Sequence, residues 1–299
     1  MKITNRFGLP DAFINFARDD KYSKGDADIS VTTLIDSPRI RLLKEQRSGE
    51  LESDISDMIW PLFGTAVHQV LESTTDTEKV AKEERLYADV AGWVLSGAID
   101  HQEVLDDGTV QITDYKVTSV WSVILGKDEW NTQLNTYAWM VENSKDGVNK
   151  GRRVSKIRVC AVLRDWQRKK AEFDRDYPQA PIHVMELDLW PSEAREDYVY
   201  QRVTDHQNAQ IAFDTEDKLV PCLPKEQWAK PDTYRVMKRG QKRAVRVFET
   251  EAEAKNYINS SDLLGDANLY IEKRDGELTR CAGNYCNVAE FCEQWKGWK

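Results

Sequence analysis

Two apolar segments, each alternating with period two and joined by a turn sequence, constrain the fold of this chain more than any other feature. Residues 93–100 and 110–117 have the alternation of half-buried β-strands, and residues 106–108 (Asp-Asp-Gly) between them are typical of a turn. We therefore predict an antiparallel hairpin here. Its first strand ends at Asp100 and its second carries Asp114 and Lys116, so charged groups lie where apolar strands end.

The segments around this hairpin predict a mixed α/β core. Apolar residues at helical spacing predict helices near residues 38–43, 62–71, 120–125, 129–141 and 192–213, and β-rich runs predict strands at 156–164 and 182–189. The chain then divides into an irregular lead-in over residues 1–30, a core over 31–213 and a C-terminal region over 214–299. In the last region we predict a basic hairpin over residues 234–248, turning at Arg239-Gly240, and a short helix over 250–258.

Length and composition exclude several classes of protein. A chain of 299 residues can bury about three quarters of its unfolded surface, and 40% hydrophobic with 31% charged residues is a globular balance. No apolar stretch approaches the ~18 residues of a membrane span, and the N-terminus lacks the apolar segment of an export signal. We expect a cytoplasmic protein without a membrane partner. The net charge of −9 argues against nonspecific nucleic-acid binding over the whole surface, but it is compatible with a local basic groove or a carboxylate cluster that holds divalent cations.

Asp100, Asp114 and Lys116 form the strongest candidate for a chemical site. Side chains two apart on a strand share a face, so Asp114 and Lys116 project together at the end of a buried strand. The hairpin brings Asp100 close to Asp114. Two converging carboxylates repel each other unless a cation lies between them, which favours a hard divalent ion. The alternative is a pair of carboxylates that cap turns at loop edges.

The neighbouring helices add three polar candidates. His68 lies on the helix before the hairpin, where a single histidine is more often structural than a ligand, so its interest depends on the two carboxylates. Gln133 and Tyr137 are four residues apart on a later helix, which points an amide and a phenol to the same side.

Four short segments, in this order and spacing, resemble the motifs of RecB-like nucleases of the PD-(D/E)XK superfamily. They are residues 64–68 (Gly-Thr-Ala-Val-His), 97–100 (Gly-Ala-Ile-Asp), 112–116 (Ile-Thr-Asp-Tyr-Lys) and 133–137 (Gln-Leu-Asn-Thr-Tyr). The overall pattern is most similar to the phage-type exonucleases of this superfamily, which also includes the CRISPR-associated RecB-like exonucleases.

The resemblance implies an α/β fold with a restriction-endonuclease-like core, in which a mixed β-sheet is flanked by helices, followed by a C-terminal metal-cluster appendage. It implies that Mg²⁺ or Mn²⁺ is bound by His68, Asp100, Asp114 and the backbone carbonyl of Tyr115. It implies further that Lys116 positions or activates the attacking water, and that Gln133 and Tyr137 support the site and the DNA backbone. An imidazole ligand suits Mn²⁺ alongside Mg²⁺.

The function that the resemblance implies is a metal-dependent deoxyribonuclease, an exonuclease that hydrolyses DNA phosphodiester bonds in phage or prophage recombination or DNA processing. Its site of action is then the cytoplasm of a bacterial host. DNA is the implied partner. A single-strand annealing or recombination protein is a further possible partner, and the chain could also form an oligomer. The alternative from another class is a catalytically silent, nuclease-fold DNA-binding or scaffold protein. The presence of both carboxylates together with Lys116 favours the enzyme.

Five cysteines, three of them within the last 19 residues, point to bound metal rather than to a disulfide framework. Cys281, Cys286 and Cys292 form this trio, and Cys222 could complete a four-thiolate site. A subset of RecB-like nucleases carries a [4Fe–4S] cluster on a C-terminal cysteine trio plus one distant cysteine, so the resemblance implies such a cluster. Structural zinc and unliganded thiols are the alternatives. We expect Cys160, in an apolar strand, to be a buried core residue.

Basic residues cluster despite the acidic total. The basic hairpin carries Lys238, Arg239, Lys242 and Arg243, and shorter clusters lie at residues 150–153 and 168–170. Such clusters contact phosphates in nucleic-acid-binding proteins, although solvated strand and loop faces have the same composition.

Overall fold

The computed structural model of the protein describes residues 2–18, 24–73, 79–260 and 268–298. Its strands are β1 (Lys2–Thr4), β2 (Ile29–Ser30), β3 (Glu52–Asp54), β4 (Val80–Val90), β5 (Trp93–Val104), β6 (Val110–Thr118), β7 (Val154–Leu163), β8 (Ile182–Leu187), β9 (Ala229–Lys230), β10 (Thr233–Lys238), β11 (Arg246–Phe248), β12 (Leu269–Arg274) and β13 (Glu277–Leu278). Its α-helices are α1 (Asp11–Arg18), α2 (Val31–Leu34), α3 (Pro38–Gln46), α4 (Ile59–Glu72), α5 (Val120–Ile124), α6 (Asp128–Asn143), α7 (Arg168–Phe173), α8 (Ser192–Glu216), α9 (Glu251–Ser260), α10 (Thr279–Ala282) and α11 (Glu293–Lys296). None of the described helices has the length and hydrophobicity that a membrane span requires.

These elements form two compact units. The first consists of Met1–Leu42 with Ser48–Leu219, and the second of Leu43–Arg47 with Val220–Lys299. The long helix that the sequence predicts up to about residue 213 continues to Glu216, so the first unit extends beyond the predicted limit of the core.

A six-stranded mixed sheet forms the centre of the first unit. Its strand order is β2-β5-β6-β7-β8, and β4 also pairs with β5. β5 and β6 are antiparallel, β6 and β7 are parallel, and β7 and β8 are antiparallel. A parallel neighbour requires a crossover connection, and α6 with its flanking segments supplies it between β6 and β7. The first unit is therefore a mixed α/β fold in which helices flank a mixed sheet, as the order of predicted elements indicates.

The predicted hairpin is present as β5 and β6, but β5 continues past Asp100 to Val104, so Asp100 lies within the strand rather than at its end. β5 also forms a second hairpin with β4. The turn between β4 and β5 consists of Ala91 and Gly92, which both have positive φ (49° and 81°), the backbone of a tight two-residue turn. Sequence analysis did not assign β4, because the charged residues 82–85 (Lys-Glu-Glu-Arg) interrupt its apolar alternation.

Close packing between α6 and β5 positions the helix over the site. A Cβ atom at Gly97 would come within 2.8 Å of the Tyr137 ring and within 2.9 Å of Met140 Sδ, distances that packed atoms do not tolerate. Leu134 and Ala138 of the same helix are fully buried in the core. Glycine at position 97 therefore allows α6 to approach the sheet closely enough to bring Tyr137 to the hairpin.

The irregular lead-in predicted for residues 1–30 is wrong for β1, α1 and β2, whereas residues 5–10 and 24–28 have no regular secondary structure. β1 pairs in parallel with β3, and α1 occupies residues 11–18. Residues 19–23 lie outside the described ranges. The three residues of β1 are held by backbone hydrogen bonds to a partner about fifty positions away, so no local periodicity could reveal them.

The second unit contains a small antiparallel sheet, β11-β10-β12, and a short β9–β13 ladder. The basic hairpin predicted over residues 234–248 is present as β10 and β11, and β12 was not foreseen. The predicted short helix is present as α9. Thr250 and Glu253 form a reciprocal capping box at its start, since Glu253 N–H donates to Thr250 Oγ1 and Thr250 N–H donates to Glu253 Oε2.

Candidate metal centre

Asp100 and Asp114 meet on the β5–β6 hairpin. Both are buried, with 9% and 2% of their surfaces exposed. The backbone N–H of Tyr115 donates a 2.7 Å hydrogen bond to Asp100 Oδ2, which ties the two strands together at this point. Lys116 Nζ lies 2.7 Å from Asp114 Oδ2 as an ion pair. The hairpin therefore brings two carboxylates and one ammonium group into the same small volume.

His68 reaches these groups from α4. Its Nε2 lies 3.1 Å from the carbonyl oxygen of Tyr115, and its Nδ1 lies 3.1 Å from Glu83 Oε1 and 3.7 Å from Asp100 Oδ1. The hydrogen bond to Glu83, the charge of Asp100 and the Tyr115 carbonyl raise the pKa of His68 to about 9, against the opposing effect of burial. Without a metal ion, the imidazole is therefore positively charged at neutral pH and lies as a cation among acidic groups.

Glu83, on β4, is the site residue that sequence analysis missed. Its backbone is left-handed (φ 45°), which is uncommon for a residue with a side chain. It lies opposite Asp100, where the β4–β5 ladder is interrupted between the Lys82–His101 and Glu84–Ile99 pairs. His68, Glu83 and Asp100 each offer a ligand atom within 4.8 Å of the others, a grouping that suits a metal ion. Asp114 lies beside this trio rather than within it.

A chain of hydrogen bonds connects the site lysine to α6. Lys116 Nζ donates to Gln133 Oε1 over 3.1 Å, and Gln133 Nε2 donates to the hydroxyl oxygen of Tyr137 over 3.0 Å. Gln133 and Tyr137 are themselves buried, so their positions are set by packing. The helix therefore holds the ammonium group of Lys116 against Asp114.

The donor set of this site fits a hard divalent cation. Nitrogen and carboxylate oxygen are the ligand atoms that Mg²⁺ and Mn²⁺ accept. Burial and the charge of Asp114 raise the pKa of Asp100 to about 7, although His68 acts in the opposite direction. Asp114 Oδ2 is buried and makes no hydrogen bond among the described residues, although the Lys116 ammonium group lies 2.7 Å away as an ion pair. The buried acidic charge that remains is of the kind that a bound cation neutralises.

Solvent reaches this centre through a small open cleft. His68, Glu83 and Asp100 line it together with Lys82 and Tyr115. The ligand atoms of these residues are therefore accessible from solvent without opening the sheet.

The four cysteines singled out in the sequence all lie in the second unit. Cys281 and Cys292 are buried, while Cys222 and Cys286 are half-buried, and none forms a disulfide. Burial and the nearby Cys286 and Cys292 thiols raise the pKa of Cys281. The side-chain amide of Gln294 binds both the N–H (2.8 Å) and the carbonyl (3.0 Å) of Cys222, which holds this residue beside the segment that follows Cys292.

Cys160 occupies a different environment from the one predicted. It lies on β7, pairs with Tyr115 in the sheet and is half-buried rather than part of the core. Strand alternation places it on the more accessible face of β7, between the fully buried Val159 and Ala161.

The basic hairpin presents its charges on an irregular connection between β10 and β11. Arg239, Lys242 and Arg243 are exposed there. Arg246 at the start of β11 lies 5.4 Å from the ring centres of both Phe248 and Tyr257, in a cation–π geometry. Three guanidinium or ammonium groups therefore face solvent, while a fourth basic side chain packs on the aromatic rings of the same unit.

Several solved structures resemble this chain, and one of them is a distant neighbour. The structure is similar to the crystal structure of SSO0001, with 18% sequence identity and a TM-score of 0.41, over 64% of this chain and 81% of that chain. No protein-family model and no curated protein matches the chain.

Proposed function

We propose that this protein is a metal-dependent deoxyribonuclease with a RecB-like, PD-(D/E)XK core, and that it acts as an exonuclease in phage or prophage recombination or DNA processing. The observation that carries the proposal is the meeting of three acidic side chains with His68 and Lys116 around one buried point. Carboxylates that serve only the fold avoid such proximity, because their negative charges repel each other.

The side chains of the site have different roles in the proposed hydrolysis of a phosphodiester. His68, Glu83, Asp100 and the Tyr115 carbonyl are the groups that would hold Mg²⁺ or Mn²⁺, with Asp114 beside them. Such an ion, when bound, supplies a Lewis acid for the scissile phosphate and makes water nucleophilic at neutral pH. His68 would hold such an ion only after losing the proton that Glu83 and Asp100 stabilise, because an imidazolium cannot act as a ligand.

Lys116 has the position of an electrostatic catalyst. Its ammonium group is held by Asp114 on one side and by Gln133 on the other, so its position and orientation are fixed. A preorganised cation next to a phosphate stabilises the negative charge that develops on the phosphate oxygens as the bond to the nucleophile forms. Tyr137 extends this support by fixing Gln133.

Hydrolysis of end-labelled linear DNA in the presence of Mn²⁺ tests the proposal. Wild-type protein should release nucleotides from linear DNA and spare a closed circle, and EDTA should stop the reaction. Asp114→Asn should abolish hydrolysis, because it removes a charge without changing shape. Asp106→Asn, at a fully exposed side chain in the turn of the same hairpin, is the matched control and should remain active. Full activity of Asp114→Asn would refute the site assignment, and an inactive wild-type protein that binds DNA would favour the catalytically silent alternative.

For the second unit, we propose a [4Fe–4S] cluster on Cys222, Cys281, Cys286 and Cys292. The proposal is supported by the Cys286 and Cys292 thiols that lie near Cys281, and by Gln294, which holds Cys222 beside the segment after Cys292. Iron and zinc analysis of the purified protein decides between a cluster and structural zinc.

A further inference from the structure

Exposed aromatic side chains lie on one helix of the metal centre and on the helix that follows one of its strands. α4, which holds His68, also holds Trp60 and Phe63, whose surfaces are 46% and 49% exposed. β6, which holds Lys116, leads directly into α5, where Trp121 is 61% exposed. We call Trp60, Phe63 and Trp121 the aromatic ledge. Large exposed aromatic groups so close to a catalytic site indicate a binding surface.

Arg164 fixes the two parts of the aromatic ledge to the same end of β6. Its guanidinium group lies 4.2 Å from the ring centre of Trp60. Its backbone N–H donates to the carbonyl of Thr118, the last residue of β6. The carboxylate of the next residue, Asp165, accepts a 2.8 Å hydrogen bond from the N–H of Val120, at the start of α5. The aromatic ledge is therefore built into the sheet rather than carried on a loose loop.

The aromatic ledge lies within the reach of a bound nucleic-acid strand. Trp60 and His68 are eight residues apart on one helix, which is about 12 Å along its axis. Trp121 follows Lys116 by only five residues. A strand with one phosphate at the metal centre has its neighbouring nucleotides at this distance.

We infer that the aromatic ledge stacks the unpaired nucleobases of the strand whose phosphodiester lies at the metal centre, and that the enzyme therefore prefers single-stranded or frayed DNA ends to paired duplex. The inference rests on the proposed nuclease function. Flat aromatic rings next to basic groups are the standard platform for single strands, since every base offers a π-face. Within a duplex these faces are covered by neighbouring base pairs, so paired DNA cannot use the platform.

Charge complementarity favours a nucleic acid over a protein partner on this surface. Arg164 presents a positive charge on the Trp60 ring, next to the end of β6 that leads into α5. A polyanion pairs with this guanidinium group while its bases meet the rings. The stacked guanidinium group also limits the rotation of the Trp60 ring, which lowers the entropy lost when a base binds.

The test compares wild-type protein with Trp60→Ala and Trp121→Ala, and with Phe173→Ala as a matched control. Phe173 is 86% exposed on α7 in the same unit. Binding of a labelled unpaired oligonucleotide is measured in EDTA, where no cleavage occurs. Each tryptophan substitution should weaken binding by about 5-fold to 100-fold, whereas Phe173→Ala should not. Trp60→Tyr should recover most of the affinity, because a phenol ring also stacks.

A second oligonucleotide identifies bases as the ligand. With abasic nucleotides in place of bases, wild-type protein should bind at least as weakly as Trp60→Ala binds the normal strand, and each tryptophan variant should lose less affinity on the abasic strand than wild-type protein does. With Mn²⁺, the variants should raise KM for unpaired ends and leave cleavage of paired duplex unchanged. Unchanged oligonucleotide binding by both variants, or equal binding of normal and abasic strands, would overturn the inference and assign the aromatic ledge to a protein partner. Failure of the wild-type protein to cleave any DNA would instead overturn the proposed function.

Discussion

Replacing Asp100 by asparagine should make the metal-free protein more stable, although it destroys the metal centre. The pKa of Asp100 is raised from 3.8 to about 7, chiefly by burial and then by the charge of Asp114. Its folded pKa lies above its unfolded pKa, so folding at intermediate pH takes up a proton. The contribution of protonated Asp100 to the free energy of unfolding is fully present below about pH 4. It is lost as the pH rises to about 7.

The size of this loss follows from the shift. A shift of about three pKa units at about 1.4 kcal/mol per unit gives about 4 kcal/mol at neutral pH. These 4 kcal/mol, about the size of the shift, are an upper bound on the stability gained by Asp100→Asn. The gain is smaller because His68 loses its favourable interaction with the charge of Asp100 in this variant. Asparagine keeps an oxygen that can accept the hydrogen bond from the Tyr115 N–H. We therefore expect a gain of about 1–3 kcal/mol, which raises the Tm of a unit of this size by several degrees.

Thermal unfolding in EDTA and in Mn²⁺ measures both sides of this effect. The ten tryptophans of the chain provide a fluorescence signal. In EDTA, Asp100→Asn should melt above the wild-type protein near pH 8, and the difference should shrink near pH 5. At about 100 times its Kd, Mn²⁺ should stabilise the wild-type protein by about 2.7 kcal/mol and leave the variant unchanged. Asp106→Asn should behave as the wild-type protein in both media. A variant that melts lower in EDTA, or that gains as much from Mn²⁺ as the wild-type protein, would refute the reasoning.

Four further predictions concern separate parts of the molecule. Lys116→Ala should lower the single-turnover cleavage rate by on the order of 100-fold or more and preserve DNA binding, and a parallel loss of binding would assign the lysine to substrate affinity instead. Alanine should replace four basic residues of the basic hairpin in a second variant: Lys238, Arg239, Lys242 and Arg243. The slope of log Kd for DNA against log salt concentration should then fall by about 0.7–0.9 per lost phosphate contact. An unchanged slope would assign the DNA contact to residues 150–170 instead. Protein purified without oxygen should be brown, with absorbance near about 400 nm, and Cys286→Ser should remove the colour whereas Cys160→Ser should not. Colourless protein with one bound zinc ion would replace the cluster by a zinc site. Colourless, metal-free protein with four reactive thiols would end the proposal. Burial and two nearby arginines lower the pKa of His206 from 6.5 to about 4, so the free energy of unfolding should be largest above about pH 6.5 and fall by about 3 kcal/mol towards pH 4. In urea titrations, His206→Gln should reduce this loss of stability at acidic pH. An unchanged loss would assign the acid sensitivity to other groups.

The part of the site that could be predicted from the sequence depends on local structure. Asp100, Asp114 and Lys116 belong to one hairpin, whose alternation and turn residues lie within about 25 positions of each other. Gln133 and Tyr137 are one helical turn apart, and their spacing alone places them on one side. These residues are indeed linked by contacts in the structure, through Lys116 and Gln133.

Glu83 could not be found in this way, because its role depends on strand register. Only the pairing of β4 with β5 puts it opposite Asp100, and its charged neighbours hide the strand. The turn at Ala91-Gly92 was the available signal. Counting back from that turn along both strands leads to Glu83 and Asp100 as facing residues. The contact between Arg164 and Trp60 joins segments a hundred residues apart, and no local pattern announces it.

The order along the chain of the three strands that carry the site carboxylates affects the rate of folding. Glu83, Asp100 and Asp114 lie on three successive strands, each of which forms a hairpin with the next. Neighbouring strands need only short loops to close, so they can pair before distant parts of the core assemble. The carboxylates then converge early, and their repulsion raises the barrier as well as the free energy of the folded state. We therefore expect the metal-free chain to refold more slowly as the pH rises through the pKa of Asp100, and divalent cations to speed its refolding.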